Sequence, residues 1–431
     1  MAKKNKTYLF CGVGGSGMSS LAKIILSQGH MVYGSDRNYD QGRFTDHFEK
    51  LKTAGVQMVA QDGSGVTSDI DALIVSSAVE SSIPDIAKAQ ELGIHIIKRA
   101  ELLAEICNGA SSITVGGTNG KSTITGMIGW VLDKCGYNPT VINGGGMLNF
   151  DRDNAVIGDP KRIVVETDES DGTITNFHPS VAVLTNISED HKGMDELLSI
   201  FEQYLQQSQY QVLNIDCPNV AKLAEKFPDA MTYSMNDVPD DMNLMVPGKH
   251  NQSNAMATLK VAEFCHIDRD KALKALSEFK GITSRLEVVG KKNSITVIDD
   301  FGHNPDKIEA GLKTLKESTR RLILIYQPHG FAPTRQHKDE LIDVFAKYLT
   351  LNDIFYMSEI LYFGGTVEKD ISSADIIEPL QEKGVQAHYI PNKSDIQTEI
   401  LKQAKPDDTI CIMGARDDSL RAMAHDILSA L

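Results

Sequence analysis

The sequence predicts an α/β protein of three successive domains, and three observations carry that reading. An apolar run, a glycine-rich turn and a helical pattern follow one another twice, over Thr7–Leu26 and again over Ser112–Leu132. That order is the grammar of βαβ units, in which helices cover a parallel sheet and ligands bind at the carboxyl ends of the strands. After Gly281, apolar runs alternate with helical segments once more. Finally, 431 residues are more than one hydrophobic core organises, at roughly 100–200 residues per domain.

Taken in order, Thr7–Cys11 predicts a strand, Met18–Leu26 a helix, and Met31–Tyr33, Ala72–Val75 and Ile94–Ile97 further strands. A second unit opens with a strand at Ser112–Val115 and a helix over Ser122–Leu132. Ile163–Val165, Val181–Leu184 and Gln211–Leu213 extend its sheet, and a helix around Asn254–Phe264 closes it. In the third, strands at Ile295–Ile298, Leu322–Tyr326, Ile354–Met357 and Thr409–Met413 alternate with helices such as Lys307–Leu315 and Glu340–Tyr348. The domains are therefore expected at 1–108, 109–282 and 283–431.

Hydrophobic residues make up 41% and charged residues 23%, which excludes a disordered or fibrous chain. The net charge of −15 argues against broad binding to nucleic acid or anionic membranes, so an anionic substrate must be held by local donors. Cysteines 11, 107, 135, 217, 265 and 411 stand singly, without zinc or redox spacing. The basic start runs into Tyr8-Leu9-Phe10-Cys11, too short for a signal-peptide core, and no apolar run approaches the ~18 residues of a membrane span. A soluble cytoplasmic protein with reduced thiols is expected.

The second glycine turn is the richer one. Ser112–Val115 leads into Gly116-Gly117-Thr118-Asn119-Gly120-Lys121-Ser122-Thr123 and then a helix. Backbone N–H groups and a helix N-terminus attract phosphates, Lys121 neutralises outer oxygens, and the Ser122 hydroxyl can ligate magnesium, which together meet the needs of ATP. Val115 stands where the usual phosphate loop begins with glycine. The first turn, Gly12-Val13-Gly14-Gly15-Ser16-Gly17 with Asp36 downstream, satisfies GxGxxG. Alone it is compatible with NAD, with another diphosphate such as a UDP-sugar, or with a purely structural turn. An ATP-type loop in the same chain favours a nucleotide-linked substrate worked on at ATP's expense.

Two strands end in acidic segments. Ile163–Val165 runs into Glu166-Thr167-Asp168-Glu169-Ser170-Asp171, and Val181–Leu184 into Thr185-Asn186-Ile187-Ser188-Glu189-Asp190-His191. Crowded carboxylates repel unless solvated or bound to cations. If both strands flank the Ser122 loop, Glu166 and His191 can meet one magnesium ion; a solvated acidic turn is the alternative.

With these motifs placed, the chain resembles the Mur ligases, the ATP-dependent amide-forming enzymes of peptidoglycan precursor synthesis. The resemblance rests on Gly12–Ala22, Ser76–Val79, Arg99–Glu101, Gly117–Thr123, Glu166–Gly172, Asn186–His191, Gly248–Asn254, Arg285–Glu287, Asp299–Pro305 and Gln327–His329. It implies an N-terminal Rossmann-like UDP-binding domain, a central P-loop ATPase domain with a mostly parallel sheet, and a C-terminal Rossmann-like domain that closes over the substrates. It further implies that Gly14, Gly15, Ser16, Gly17, Asp36, Ser76 and Ser77 contact the UDP-sugar. Gly117, Thr118, Asn119, Gly120, Lys121, Ser122 and Thr123 would hold ATP, joined by Asn251, Asn254, Arg285 and Asp300. Ser122, Glu166 and His191 would bind Mg2+, and His303 and His329 would lie near the incoming amine. Asn251 and Asn254 could instead cap a helix, and Arg285 could serve a surface ion pair.

The branch of the family that adds L-alanine to UDP-N-acetylmuramate is the nearest by resemblance, with features of the branch that recycles preformed murein peptides. A carboxylate would be converted by ATP to an acyl phosphate, which an amine attacks, with Lys121 neutralising charge and His191 or His303 as base. Two expected arginines are replaced by Gly330 and Pro333, leaving Arg335 to recognise a carboxylate, and Asn304 replaces a common second histidine. No lysine lies between Lys192 and Lys222, so the carbamylated lysine of several relatives is expected to be absent. An NAD-dependent oxidoreductase would leave the Gly117–Thr123 loop unexplained. Oligomeric state is left open by the sequence.

Overall fold

The computed structural model describes residues 5–76, 83–169, 172–188, 193–362 and 367–431, the side chains at 318 and 418 apart. Three sheets account for its strands. The first holds β1 (Thr7–Cys11), β2 (Met31–Ser35), β3 (Gln57–Val59), β4 (Ala72–Val75) and β5 (His95–Lys98), all parallel, in the order β3-β2-β1-β4-β5. Leu9, Phe10 and Cys11 are wholly buried, which is why β1 reads as an unbroken apolar run rather than an alternating one.

The second sheet comprises β6 (Ser111–Gly116), β7 (Pro139–Met147), β8 (Asp153–Val156), β9 (Asp159–Glu166), β10 (Val181–Leu184), β11 (Tyr210–Asn214) and β12 (Met231–Tyr233). Its order is β12-β11-β10-β6-β9-β7-β8, parallel except for the β7–β8 pair. The flanks of β6 are therefore β10 and β9, the two strands that end in acidic segments. The third sheet holds β13 (Glu287–Lys292), β14 (Ile295–Asp300), β15 (Arg321–Gln327), β16 (Ile354–Met357), β17 (Ala387–Tyr389) and β18 (Asp408–Gly414), ordered β13-β14-β18-β15-β16-β17. Only β13–β14 is antiparallel, joined through Asn293 and Ser294, both at positive φ as a two-residue hairpin turn requires.

Contacts gather the chain into two compact units, Met1–Val246 with His250–Gly281, and Pro247–Lys249 with Ile282–Leu431. In the first, one core runs from Phe10 and Ile74 through Leu102, Leu103 and Cys107 to Ile142, Ile163 and Val165, so the first two sheets share buried apolar side chains. In the second unit the pleat of β15 divides the core: Leu322, Leu324 and Tyr326 pack on Phe345 and Phe355, while Ile323 and Ile325 pack on Ile410, Ile412 and Ile427 on the opposite face. Among the described residues, no helix is long and apolar enough to cross a membrane.

Two helix starts differ from the sequence expectation. The helix after β6 spans Lys121–Lys134, with Gly120 as its cap, and the one expected from Asn254 begins at Lys249. Asn251 and Asn254 are thus buried inside the helix rather than preceding its start.

Candidate functional site

The β6 strand ends at Gly116, and the chain then turns through Gly117 (φ +124°) and Gly120 (φ +88°) into helix Lys121–Lys134. A β-carbon on Gly117 would overlap Thr185 Oγ1 and lie 2.9 Å from Asn186 O; one on Gly120 would lie 2.9 Å from Asn254 Oδ1. Only glycine fits either place. The end of β10 braces the turn. Asn186 O accepts from Thr118 N–H, Asn186 Oδ1 accepts from Asn119 N–H (both 2.9 Å), and Thr185 Oγ1 donates to Asn119 O at 2.7 Å.

The N–H groups of Thr118 and Asn119 are therefore engaged within the protein, and those of Lys121, Ser122 and Thr123, in the first helical turn, lack intrahelical partners. They form the anion-binding end of the loop, where the helix dipole adds its positive end. Asn254 Nδ2 donates to Asn251 Oδ1 at 3.2 Å, which turns Asn254 Oδ1 toward Gly120.

Lys121 folds back on its own turn, donating to Gly117 O at 2.5 Å and pairing with Glu169 at 3.1 Å. Glu169 is buried, and burial raises its pKa against the lowering effect of the Lys121 charge. The sequence singled out Glu166 among the four crowded carboxylates and gave Glu169 no role; the turn after β9 brings Glu169 to Lys121. Glu166, the last residue of β9, lies beside Val115 in register and accepts from Gly144 N–H at 2.8 Å. Its place at the strand end next to the Ser122 turn suits a hard, oxygen-preferring cation. Among the described residues no group of three His, Cys, Asp or Glu side chains forms a complete metal site. His191 and Ser77 fall outside the described residues.

In the first sheet, Gly15 precedes helix Ser16–Ser27 with no side-chain cap, leaving the first-turn N–H groups of Ser16 and Gly17 open. Asp36 lies beneath this turn: its Oδ2 accepts from Gly14 N–H at 2.9 Å and its Oδ1 from Asn38 N–H at 2.8 Å. Each carboxylate oxygen accepts one backbone N–H, so Asp36 shapes the turn and keeps further lone pairs as acceptors. Ser76 follows β4 directly. Arg99, which the resemblance includes in its Arg99–Glu101 motif without a role, lies over the helix start, with its side chain 3.3 Å from where a Gly17 β-carbon would sit. Its position directly after β5 was the available signal.

In the second unit, His303 and His329 stack edge to face with ring centroids 5.4 Å apart, and Arg285 lies over the Phe301 ring at 5.0 Å. Burial lowers the His303 pKa to about 4. Its Nδ1 lies 3.0 Å from Phe301 O, which can only accept, so Nδ1 carries the hydrogen and Nε2 is left as an acceptor. Burial first, and then the Arg416 charge, lowers His329. Asp300 is buried with a raised pKa, and it accepts from Leu286 N–H at 2.8 Å and Gly302 N–H at 2.7 Å, holding the turn that carries His303. Arg335 does not join this group: it pairs with Asp370 and donates to Glu368 O at 3.1 Å.

Known proteins match along the whole chain. Residues 7–111 match the Mur ligase family catalytic domain, 115–244 the Mur ligase middle domain, and 284–416 the Mur ligase glutamate ligase domain. The UDP-N-acetylmuramate–L-alanine ligase of Desulforamulus reducens is 31% identical over 96% of both chains. That of Syntrophus aciditrophicus is 32% identical over 100% of this chain and 95% of its own. Among solved structures, the fold is shared with the UDP-N-acetylmuramate–alanine ligase of Thermotoga maritima (TM-score 0.77, 24% identity, 99% of both chains). It is also shared with a murein peptide ligase of Psychrobacter arcticus (TM-score 0.66, 21% identity, 99% and 98%).

Proposed function

The chain belongs to the Mur ligase family, and from that premise we infer that it is an ATP-dependent ligase joining L-alanine to the lactyl carboxylate of UDP-N-acetylmuramate in peptidoglycan precursor synthesis. The full-length likeness to L-alanine-adding relatives carries the choice of substrate over a preformed peptide. In this reading the domains keep the divisions near residues 108 and 282. The open helix start at Ser16–Gly17, with Arg99 over it, receives the diphosphate of the sugar nucleotide, and the Lys121–Thr123 turn receives the phosphates of ATP.

A carboxylate is a poor acylating agent, so transfer of the terminal phosphoryl group gives an acyl phosphate that the amine of L-alanine then attacks, expelling phosphate. Lys121 leaves Gly117 O and Glu169 to neutralise the charge of the approaching oxygens, an interaction that strengthens as the transfer proceeds. Ser122 and Glu166, with His191, would hold magnesium, which when bound offsets the repulsion between phosphate and carboxylate. His303, held near pKa 4, is too weak a base to take a proton from an ammonium group and instead offers Nε2 as an acceptor that orients the amine. The six free cysteines fit a reducing cytoplasm.

ADP release measured with UDP-N-acetylmuramate and each free amino acid or short murein peptide tests this reading. Turnover is expected with L-alanine; turnover with peptides alone would overturn the choice of amine.

A further inference from the structure

Three loops leave the sheet of the second unit from one rung. Asp300, Met413 and Tyr326 are neighbours on β14, β18 and β15. Three residues beyond that rung stand His303, Arg416 and His329. Here the strand order reverses, since β18 comes last in sequence yet lies between β14 and β15. The carboxyl edge at such a reversal is where open parallel sheets place ligands.

Most cations near this edge are already engaged. Lys393 pairs with Asp417 and donates to Ser419 Oγ at 2.6 Å, Arg335 pairs with Asp370, and Arg421 pairs with Glu287 at 2.9 Å. Arg285 covers the Phe301 ring. Among the described residues, no hydrogen bond or ion pair holds Arg416, which is exposed. Its φ is +62°, a left-handed conformation that glycine would take without strain. An arginine held there beside two histidines calls for a reason, and beside it His329 Nδ1 is buried without a partner.

We propose that the Arg416 guanidinium receives the α-carboxylate of the incoming amino acid, replacing the arginines missing at Gly330 and Pro333, and thereby selects a free amino acid over a peptide. The assignment rests on the ligase reading above. A guanidinium matches a carboxylate with two parallel hydrogen bonds, and His303 Nε2 stands on the same edge to accept from the amine. In a peptide the α-carboxylate of the first residue has become an amide, so the charge pair is lost and the guanidinium is left without its anion.

The test uses the full chain with saturating ATP and UDP-N-acetylmuramate, comparing L-alanine with L-alaninamide for the wild type, Arg416→Gln and Arg416→Gly. Glycine suits the backbone at this position, so that variant should melt no lower than the wild type. Both substitutions should raise the KM for L-alanine about 10- to 100-fold, as for loss of a charged hydrogen-bonded pair. The KM for ATP and for UDP-N-acetylmuramate should stay within about twofold of the wild type. The preference for L-alanine over its amide should fall by the same factor in the variants. An unchanged KM for L-alanine, or a rise confined to UDP-N-acetylmuramate, would overturn the Arg416 assignment while leaving the ligase reading in place. Failure of the wild type itself to use any free amino acid would overturn both.

Discussion

Replacing Gly117 with alanine isolates the cradle from everything around it. The residue has φ +124°, and a β-carbon there would overlap Thr185 Oγ1 and approach Asn186 O to 2.9 Å. Two costs add: forcing an L side chain into positive φ takes roughly 1–2 kcal/mol, and pushing Thr185 and the Asn186 backbone aside takes about 1–3 kcal/mol more. The sum is about 2–5 kcal/mol. Gly136, just past the far end of the same helix, supplies the control. It has φ +85° and nothing within 4 Å of an added β-carbon, so Gly136→Ala should carry only the backbone cost of roughly 1–2 kcal/mol. Trp130 is the sole tryptophan, is buried, and lies on that helix, so its fluorescence during urea unfolding reports both variants. Because Thr185 and Asn186 also set the Thr118–Asn119 turn, Gly117→Ala should lower kcat/KM for ATP by about 10²-fold, whereas Gly136→Ala should not. Equal destabilisation of the two variants, or normal ATP use by Gly117→Ala, would refute the argument.

Further outcomes follow from the same geometry. Lys121→Met leaves Glu169 buried without its cation and should cost about 3–5 kcal/mol in urea titration; adding Glu169→Gln should restore most of that stability but no amide formation. Recovery of activity in the double variant would contradict the role given to Lys121. His303 has its pKa lowered from 6.5 to about 4, so between those values the unfolded chain binds more protons and stability rises with pH, the gain being complete above 6.5. His303→Gln should flatten that slope, and the ring proton should titrate by NMR near 4; a midpoint above 6 would contradict the burial argument. Asn254→Ala removes the oxygen facing Gly120, and it should raise the KM for ATP by about 5- to 20-fold without altering the KM for L-alanine. Equal effects on both substrates would point to general loosening of the fold.

Much of the fold was legible because parallel strands buried on both faces announce themselves as apolar runs. β1, β4, β10 and β16 begin and end where the pattern places them. The strands that escaped notice carry glycine or polar residues that break the apolar pattern, or are too short to show one. β7 contains Asn143-Gly144-Gly145-Gly146, which reads as a loop, yet its glycines let Glu166 approach the backbone; β13 is a polar edge strand. At the site, glycine turns and Lys121 could be found from spacing alone. What spacing could not supply was pairing across the fold: that Asn186 consumes two loop N–H groups, that Asp36 accepts from the backbone of Gly14 and Asn38, or that Arg335 pairs with Asp370. Arg416 was silent for the same reason, since only the register of β14, β18 and β15 brings it beside His303 and His329.

The most direct measurement follows oxygen. With UDP-N-acetylmuramate labelled with oxygen-18 in its lactyl carboxylate, an acyl phosphate requires one labelled oxygen to appear in inorganic phosphate for each amide bond formed. Mass spectrometry should find that stoichiometry in the presence of ATP and L-alanine. Amide formation accompanied by unlabelled phosphate would contradict activation of the carboxylate by phosphoryl transfer.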